Sequence, residues 1–298
     1  MEREALVKYR RFLKRRNYSG HTIKTYMNTL EHFLSWLPLP VAEVTSSQIS
    51  AYIEFLLAQG LTPKTINCRL DSARGFFTYL SQEGGTPRPN PVKKGSALRL
   101  ARPLPRYLKD EEVIRLFSRV KNGRDRAIFM LMLRCGLRVE EVAHLRLQDL
   151  DLAQRRVLVC PGKGNKDRVV YISHDAERAL RDYLDSRSSS KVQQIFLVRK
   201  GRCRGMPLSV RGIQKRMEYY ARKTGLDVSC HQLRHTMATQ LLNADADLVT
   251  IQDLLGHSRI KTTQRYAKIS NVKVQRDYYK AMDVILKKAA NDRALSMN

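Results

Sequence analysis

The chain has 298 residues, 43% of them hydrophobic, and its 55 lysines and arginines outnumber 28 acidic residues to give a formal net charge of +27. This size and composition exclude global disorder and predict two folded domains. No apolar run approaches the roughly 20 residues of a membrane-spanning helix, and the charged N-terminal residues form no signal peptide. Five scattered cysteines predict neither a disulfide framework nor a zinc knuckle. We therefore expect a soluble protein of a reducing cytoplasm.

The positive charge is spread along the chain and indicates a polyanionic partner. Residues 1–100 carry 15 basic and 7 acidic side chains, a surplus of +8, and the remaining residues carry +19. Such a surplus repels itself in a compact fold and is typical of proteins that bind nucleic acid. A membrane surface is the alternative partner, but no lipidation motif or terminal basic cluster favours it.

The N-terminal part of the sequence predicts a domain built only from helices, over residues 1–88. Apolar side chains recur at helical spacing over residues 21–37, and Pro38 ends that pattern. Further helices are predicted around residues 9–13, from an N-cap at Ser47 to residue 58, and over residues 62–80. The charges of the first of these helices are nearly all basic, which favours phosphate contact over an ordinary solvated face.

Residues 89–105, which contain four prolines, are interpreted as a linker. Lys93, Lys94 and Arg99 make this linker basic. Two basic domains on a flexible basic linker suit a C-shaped clamp that closes around a DNA duplex. The same composition fits an inert tether equally well.

Residues 106–298 predict a second domain that mixes helices with short strands. Runs of β-branched residues at 157–159 and 169–172 flank a glycine-rich turn and predict a hairpin. Helices are predicted at residues 109–120, 124–135, 139–147, 175–186, 209–224, 232–244, 247–255 and 259–268. The predicted fold class is therefore mainly α with a small β-sheet, an α+β domain behind an all-α domain.

Two motifs place basic side chains next to glycine turns. Arg138 follows Gly136 at the start of a predicted helix, with Glu141 three residues further on. A guanidinium group is a bidentate donor for phosphate oxygens, and a helix start adds backbone donors. Lys163 lies between two glycines at the hairpin tip, from which it could reach into a site or simply lie against DNA. The Walker pattern is absent, so nothing favours nucleotide hydrolysis.

Further candidates lie towards the C-terminus. His231 and Arg234 are spaced to share one helical face, whereas His231 and His235 have the i, i+4 spacing of a zinc pair. Neither a His-Glu-x-x-His glutamate nor a cysteine pair is present to complete a zinc site. His257 follows a predicted helix end, and Tyr266 lies nine positions later. Each of these two would, alone, usually be structural.

In this order and at these spacings, the motifs resemble those of the tyrosine recombinase (phage integrase) family, in particular its Xer-like and mobile-element members. The resemblance spans nearly the whole chain, because residues 17–26 are also similar to the core-binding, SAM-like domain of that family. It implies a site-specific DNA recombinase with Tyr266 as nucleophile. It also implies a bacterial, nucleoid-associated protein.

The resemblance further implies a reaction that needs no cofactor, metal or ATP. Tyr266 would attack the scissile phosphate to give a 3′-phosphotyrosyl enzyme and a free 5′-hydroxyl, and this linkage conserves the phosphodiester energy for religation. Arg138 and Arg234 would hold the non-bridging oxygens in the transition state. Lys163 would protonate the leaving 5′ oxygen.

The remaining implied roles are those of supporting groups. His231 would assist deprotonation of the tyrosine, His257 would donate a hydrogen bond to the phosphate, and Glu141 would support the site without reacting. Tyr278 and Tyr279 compete as nucleophiles but do not keep the spacing from His257. Lys166 competes with Lys163 on the same hairpin, although the family pattern favours Lys163.

The expected partner is double-stranded DNA at specific recombination sites. The basic side chains expected to contact DNA are Lys24, Lys64, Lys93, Lys94, Lys166 and Arg168. The resemblance implies a homotetramer in synapsis, with or without a second recombinase or an accessory protein. The amphipathic residues 271–298 would then pack on a neighbouring subunit, or else fold back on their own domain.

Three functions therefore compete. The first is recombination that serves integration, excision, transposition or resolution of DNA. The second is a type IB topoisomerase that relaxes DNA as a monomer, and the third is a catalytically silent DNA-binding protein. The helical N-terminal domain and the tail favour recombination, and the six matching active-site residues argue against a silent protein.

Overall fold

The computed structural model describes residues 2–83, 89–101, 105–160, 167–187 and 191–256, and the packing divides the chain into two compact units, Met1–Arg102 and Pro103–Asn298. The predicted domain boundaries at residues 88 and 105 stay a prediction. None of the helices within the described ranges is long and apolar enough to cross a membrane.

The first unit contains the predicted helices. They are α1 (Glu2–Arg15), α2 (Gly20–Trp36), α3 (Ser46–Ala58) and α4 (Pro63–Glu83). The predicted N-cap of α3, Ser47, is wrong, because Thr45 caps this helix. The hydroxyl of Thr45 accepts a hydrogen bond from the Ser47 amide at 3.2 Å, and the Gln48 side chain accepts one from the Thr45 amide at 3.0 Å. This Thr-x-x-Gln capping box satisfies amides that the helix itself leaves unpaired.

Aromatic residues fill the interior of the first unit. Phe33, Tyr52 and Phe76 are fully buried. The ring of Trp36, the single tryptophan of the chain, lies 4.9 Å from that of Tyr52. Burial of rings of this size contributes much of the hydrophobic stabilisation of a small domain.

Residues 89–101 of the predicted linker pack along α4. The Asn67 amide group exchanges hydrogen bonds with the backbone of Leu98, at 2.8 and 2.9 Å. Asn90 donates to the carbonyl of Arg74 at 2.8 Å, and Arg74 donates to the carbonyl of Val92 at 3.1 Å. This part of the segment is therefore anchored to the first unit.

The second unit surrounds one central helix. Its helices are α5 (Asp110–Arg119), α6 (Gly123–Arg134), α7 (Val139–His144), α8 (His174–Asp185), α9 (Val210–Thr224), α10 (Cys230–Asn243) and α11 (Leu248–Leu255). The α6 helix is buried on nearly all sides and packs against α7, α8, α9 and α10. The predicted helix over 259–268 lies outside the described residues.

Within the described residues, the second unit also contains a three-stranded antiparallel sheet. The strands β1 (Leu150–Asp151), β2 (Arg156–Val159) and β3 (Arg168–Tyr171) lie in that order, with Val157 opposite Val170. The predicted pairing of the two longer strands and the predicted fold class are confirmed. The prediction that α7 continues to residue 147 is wrong. The amide of Ile195 donates to the carbonyl of Leu145, and the chain becomes extended there.

Candidate active site

A tight turn before α7 brings Arg138 next to the ends of two other helices. Gly136 has φ +65°, and a Cβ at this position would lie 3.1 Å from side-chain atoms of both Leu255 and Met237. Only glycine combines this backbone conformation with such close packing at low cost. The turn therefore places the α7 N-terminus against α10 and α11.

Arg138 is held in place by Glu141. The backbone amide of Arg138 donates to Glu141 Oε2 at 2.7 Å, and Nη1 of Arg138 donates to Glu141 Oε1 at 2.7 Å. Nη2 of Arg138 approaches the carbonyl of Gly256 at 3.4 Å. The acidic residue three positions into the helix thus caps it and also orients the arginine side chain. About a third of the Arg138 side chain, 32%, stays exposed.

Arg234 lies beneath this turn and is almost completely buried. Its guanidinium group donates to the carbonyls of Gly136 and Leu255, and Nη1 lies 3.9 Å from Glu141 Oε2. The α10 helix begins two residues earlier than the predicted residue 232, because the side chain of Gln232 accepts from the Ser229 amide at 2.6 Å. His231 and Arg234 consequently lie one turn apart near the start of α10.

The predicted role of Arg168 requires a correction. It was predicted to contact DNA, but its side chain is only 8% exposed. Its Nη1 and Nη2 donate to the two carboxylate oxygens of Glu141 at 2.9 and 2.8 Å, and its Nε donates to the carbonyl of Leu254 at 2.8 Å. A buried bidentate pair of this kind occupies the guanidinium group with protein partners.

Charge and burial set the protonation states of Glu141 and His231. Burial alone would raise the pKa of Glu141, but hydrogen bonds and charges from Arg168 and Arg138 lower it to about 2. Burial, followed by the charges of Arg234 and Arg138, lowers the pKa of His231 below its ordinary value. At neutral pH Glu141 is therefore ionised and His231 is a neutral imidazole.

Arg138, His231 and Arg234 line one cleft of about 530 Å³ in the second unit. The α9 helix contributes Arg211 and Glu218 to the lining of the same cleft. Two guanidinium groups beside a neutral imidazole suit an anionic ester, because the cations can neutralise charge while the imidazole accepts a proton. The rings of His231 and His235 meet edge to face at 4.5 Å.

Apart from Arg168, the sequence candidates divide into three groups. Arg138, Glu141, His231 and Arg234 are brought together by the fold. Four of the DNA-contact candidates, Lys24, Lys64, Lys93 and Lys94, are exposed on the first unit. Outside the described residues lie Lys163, Lys166, His257, Tyr266, Tyr278, Tyr279 and the segment 271–298.

Sequence reasoning missed the role of the α11 C-terminus in this site. The carbonyls of residues 254–256 accept hydrogen bonds from three arginines, Arg168, Arg234 and Arg138. Cations at a helix C-terminus interact favourably with the helix dipole. A signal was present, because the motif Leu254-Leu255-Gly256 ends a helix and so leaves carbonyl groups unpaired.

The fold and the cleft define a two-unit, mainly helical protein that presents two arginines and a neutral histidine to a phosphate-like anion. A sequence model described as the Phage integrase family matches residues 106–272, and one for the Phage integrase N-terminal SAM-like domain matches residues 6–84. The chain is 33% identical over 269 residues to the tyrosine recombinase XerA of Thermococcus kodakarensis, which covers 90% of this chain and 91% of that protein.

A further relative and a solved structure point to the same family. The tyrosine recombinase XerC of Haemophilus influenzae is 34% identical over 279 residues, which is 89% of this chain and 92% of that protein. A solved structure of the Tn1549 transposon integrase in complex with a circular intermediate DNA has the same fold, with a TM-score of 0.74, 21% identity and coverage of 88% of this chain and 94% of that one. This chain belongs to the phage integrase family, and the predicted enzyme class, a tyrosine-type site-specific DNA recombinase, is confirmed.

Proposed function

We propose that this chain cuts and rejoins duplex DNA at specific recombination sites, with Tyr266 as the nucleophile that forms a 3′-phosphotyrosyl intermediate. The observation that carries the proposal is the convergence of Arg138, His231 and Arg234 on one cleft. Family membership supports the same reaction. A covalent phosphotyrosine keeps the energy of the broken phosphodiester, so the strand can be rejoined without ATP.

Arg138 and Arg234 bind the two non-bridging oxygens of the scissile phosphate in this proposal. Charge builds up on these oxygens as the phosphorus becomes pentacoordinate, and donors that are already in place stabilise that state at little reorganisation cost. Glu141 supports this preorganisation, because its carboxylate contacts Arg138 directly and lies 3.9 Å from Arg234. His257 adds a further hydrogen bond to the phosphate.

Proton transfer is divided between two groups. The phenol oxygen of Tyr266 attacks phosphorus, and the neutral imidazole of His231 takes the phenolic proton. The bond from phosphorus to the 5′ oxygen breaks, and Lys163 supplies the proton that this oxygen needs. Attack by a 5′-hydroxyl on the phosphotyrosine reverses the same steps and restores both groups.

The expected substrate is a long duplex contacted by both units. Lys24, Lys64, Lys93 and Lys94 are exposed cations of the first unit, and such residues position a protein on the phosphate backbone without reading its sequence. Two such sites are exchanged within a homotetramer, with residues 271–298 joining neighbouring subunits. Integration, excision, transposition and resolution would all use this one exchange.

The first experiment is covalent capture from a pool of duplexes with a randomised core and a nick in one strand. The nick lets a short 5′-hydroxyl fragment leave, so the protein–DNA adduct accumulates. Wild type should give an adduct on a denaturing gel in the presence of EDTA, and Tyr266→Phe should give none. Sequencing the captured DNA would then identify the recognised site.

The controls are substitutions of the two other candidate nucleophiles. Tyr278→Phe and Tyr279→Phe should form the adduct at the wild-type rate. An adduct that survives Tyr266→Phe would overturn the proposed nucleophile. Binding of the selected site without any adduct would point to a silent DNA-binding protein, and relaxation of plasmid without exchange between two labelled duplexes would point to a topoisomerase.

A further inference from the structure

Arg168 occupies an unusual position for an arginine on a strand next to a basic hairpin. It is the first residue of β3, yet its guanidinium group is buried, and each of its three nitrogens donates a hydrogen bond to a protein acceptor. Two of these bonds reach Glu141 and one reaches the carbonyl of Leu254. A lysine could not reproduce them, because an ammonium group lacks the planar fork.

Gly256 closes the site from the other side. It ends α11 with φ +59°, and a Cβ at this position would lie 3.0 Å from Cδ of Arg168 and 3.1 Å from its Nη1. The backbone of Gly256 therefore lies directly against the Arg168 side chain. A side chain at residue 256 would displace either this backbone or the guanidinium group.

Arg168 consequently joins three segments that are distant in sequence. It leads β3, it holds the carboxylate that orients Arg138, and it holds the last turn of α11, whose Leu255 carbonyl accepts from Arg234. Both phosphate-binding candidates therefore depend on groups that Arg168 fixes. None of its contacts requires DNA.

We propose that Arg168 is a positioning residue for strand cleavage. By fixing Glu141 and the α11 C-terminus relative to each other, it sets where Arg138 and Arg234 present their guanidinium groups to the phosphate. The inference rests on the proposed function for these two arginines. Because Arg168 acts through them, its loss slows chemistry and leaves DNA affinity unchanged.

The test compares Arg168→Lys with the control Arg156→Lys in the full-length protein, on the duplex selected by covalent capture. Arg156 is a strand arginine of the same sheet, but it pairs with Asp151 at the surface. At saturating protein, Arg168→Lys should slow adduct formation by about 10- to 100-fold, the scale of a small misplacement of reacting groups. Arg156→Lys should not change this rate, and both variants should bind the duplex as wild type does.

A double-mutant cycle separates positioning from a general loosening of the fold. If Arg168 acts through Arg138, the rate penalty of Arg168→Lys should shrink when Arg138→Lys is already present. Equal penalties in the two backgrounds would overturn the inference. A fall in DNA affinity that accounts for the whole rate loss would also overturn it.

Substitutions at two glycines test the same contact and leave Arg168 in place. They still test the positioning role if Arg168→Lys does not fold. Gly256 and Gly225 both end helices with positive φ, but a Cβ at Gly225 would meet nothing within 4 Å. Gly256→Ala should slow adduct formation and Gly225→Ala should not, since the backbone strain is common to both. Equal rates would contradict the proposal. If wild type forms no adduct, or Tyr266→Phe still forms one, the proposed function itself fails.

Discussion

In the described part of the second unit, two buried carboxylates are surrounded by cations, and one of them, Glu141, holds an arginine that lines the cleft. Asp125 in α6 is fully buried and accepts hydrogen bonds from Arg124, Arg216 and the hydroxyl of Tyr220. Glu141 in α7 is nearly as buried and is likewise held by arginines. In both places the cost of burying a charge is offset by pairing and hydrogen bonds.

The two clusters differ in what surrounds the arginines. Arg124 donates its remaining Nη1 to the carbonyl of Leu197, which ties α6 to the chain before α9. Arg216 lies over the ring of Tyr219, 4.7 Å from its centroid. In contrast, Arg138 and Arg234 line a cleft large enough for a ligand. Exposure of the cations does not separate the two clusters, because the Arg216 side chain is 34% exposed and that of Arg138 is 32% exposed. The Glu141 cluster is the candidate site because its arginines line a cleft together with His231.

The largest expected effect is on stability, and it should be common to both clusters. Asp125→Asn and Glu141→Gln each leave buried guanidinium groups without their counter-charge, which costs about 3–5 kcal/mol in comparable buried pairs. The free energy of unfolding of the second unit should fall by this amount in both variants. Denaturant titration followed by far-UV circular dichroism measures it.

The single tryptophan provides the control for that measurement. Trp36 belongs to the first unit, so its fluorescence reports the unfolding of that unit. The fluorescence transition should stay at the wild-type denaturant concentration in both variants. If Asp125→Asn or Glu141→Gln lowers the free energy of unfolding by less than about 1 kcal/mol, the corresponding cluster does not anchor the second unit.

The next largest effect separates the clusters by their chemistry. Arg234→Gln should reduce the rate of adduct formation by about 100- to 1,000-fold, the usual cost of removing one donor to a transition-state oxyanion. Arg216→Gln, which alters the Asp125 cluster, should change this rate by less than about threefold. Single-turnover assays at saturating protein measure both. Equal losses in the two variants would mean that the cleft has no special role.

Local sequence patterns predict part of this fold and of its candidate site. Helices were found where apolar residues repeat, because burial of one face imposes that spacing. The four clustered site residues were predicted because two short motifs, one with Arg138 and Glu141 and one with His231 and Arg234, resemble motifs of the family in their order and spacing. The sheet was predicted without β1, whose two residues are too few to carry a pattern.

Long-range pairings account for what the sequence did not predict. Arg168 and Leu254 are 86 positions apart, and Arg168 and Glu141 are 27 apart. Composition assigns a basic residue near a hairpin to the surface, since most arginines are exposed. Asn67 and Asn90 likewise anchor a segment that looks like a free linker, through hydrogen bonds that no local periodicity encodes.

A smaller effect follows from the low pKa of Glu141, about 2 in the folded protein against an ordinary value of 4.5. A carboxyl whose pKa is lower when folded stabilises the fold above its unfolded pKa, and this stabilisation disappears as the pH falls towards the folded pKa. Between about pH 5 and pH 3, wild type should lose about 2 kcal/mol that Glu141→Gln does not lose. If the free energy of unfolding fell equally with pH in wild type and in Glu141→Gln, this account would be contradicted.

The smallest expected effect is the titration of His231. Burial and the charges of Arg234 and Arg138 lower its pKa, so removing either cation should raise the pKa. NMR titration of the histidine ring signals measures this directly, with His231→Gln identifying the resonance. Arg234→Gln and Arg138→Gln should each move the titration to higher pH, whereas Arg216→Gln in the Asp125 cluster should leave it in place. A His231 that titrates at or above 6.5 in wild type would be charged too readily to accept the proton of Tyr266 at neutral pH, and the base in the proposed mechanism would have to be sought elsewhere.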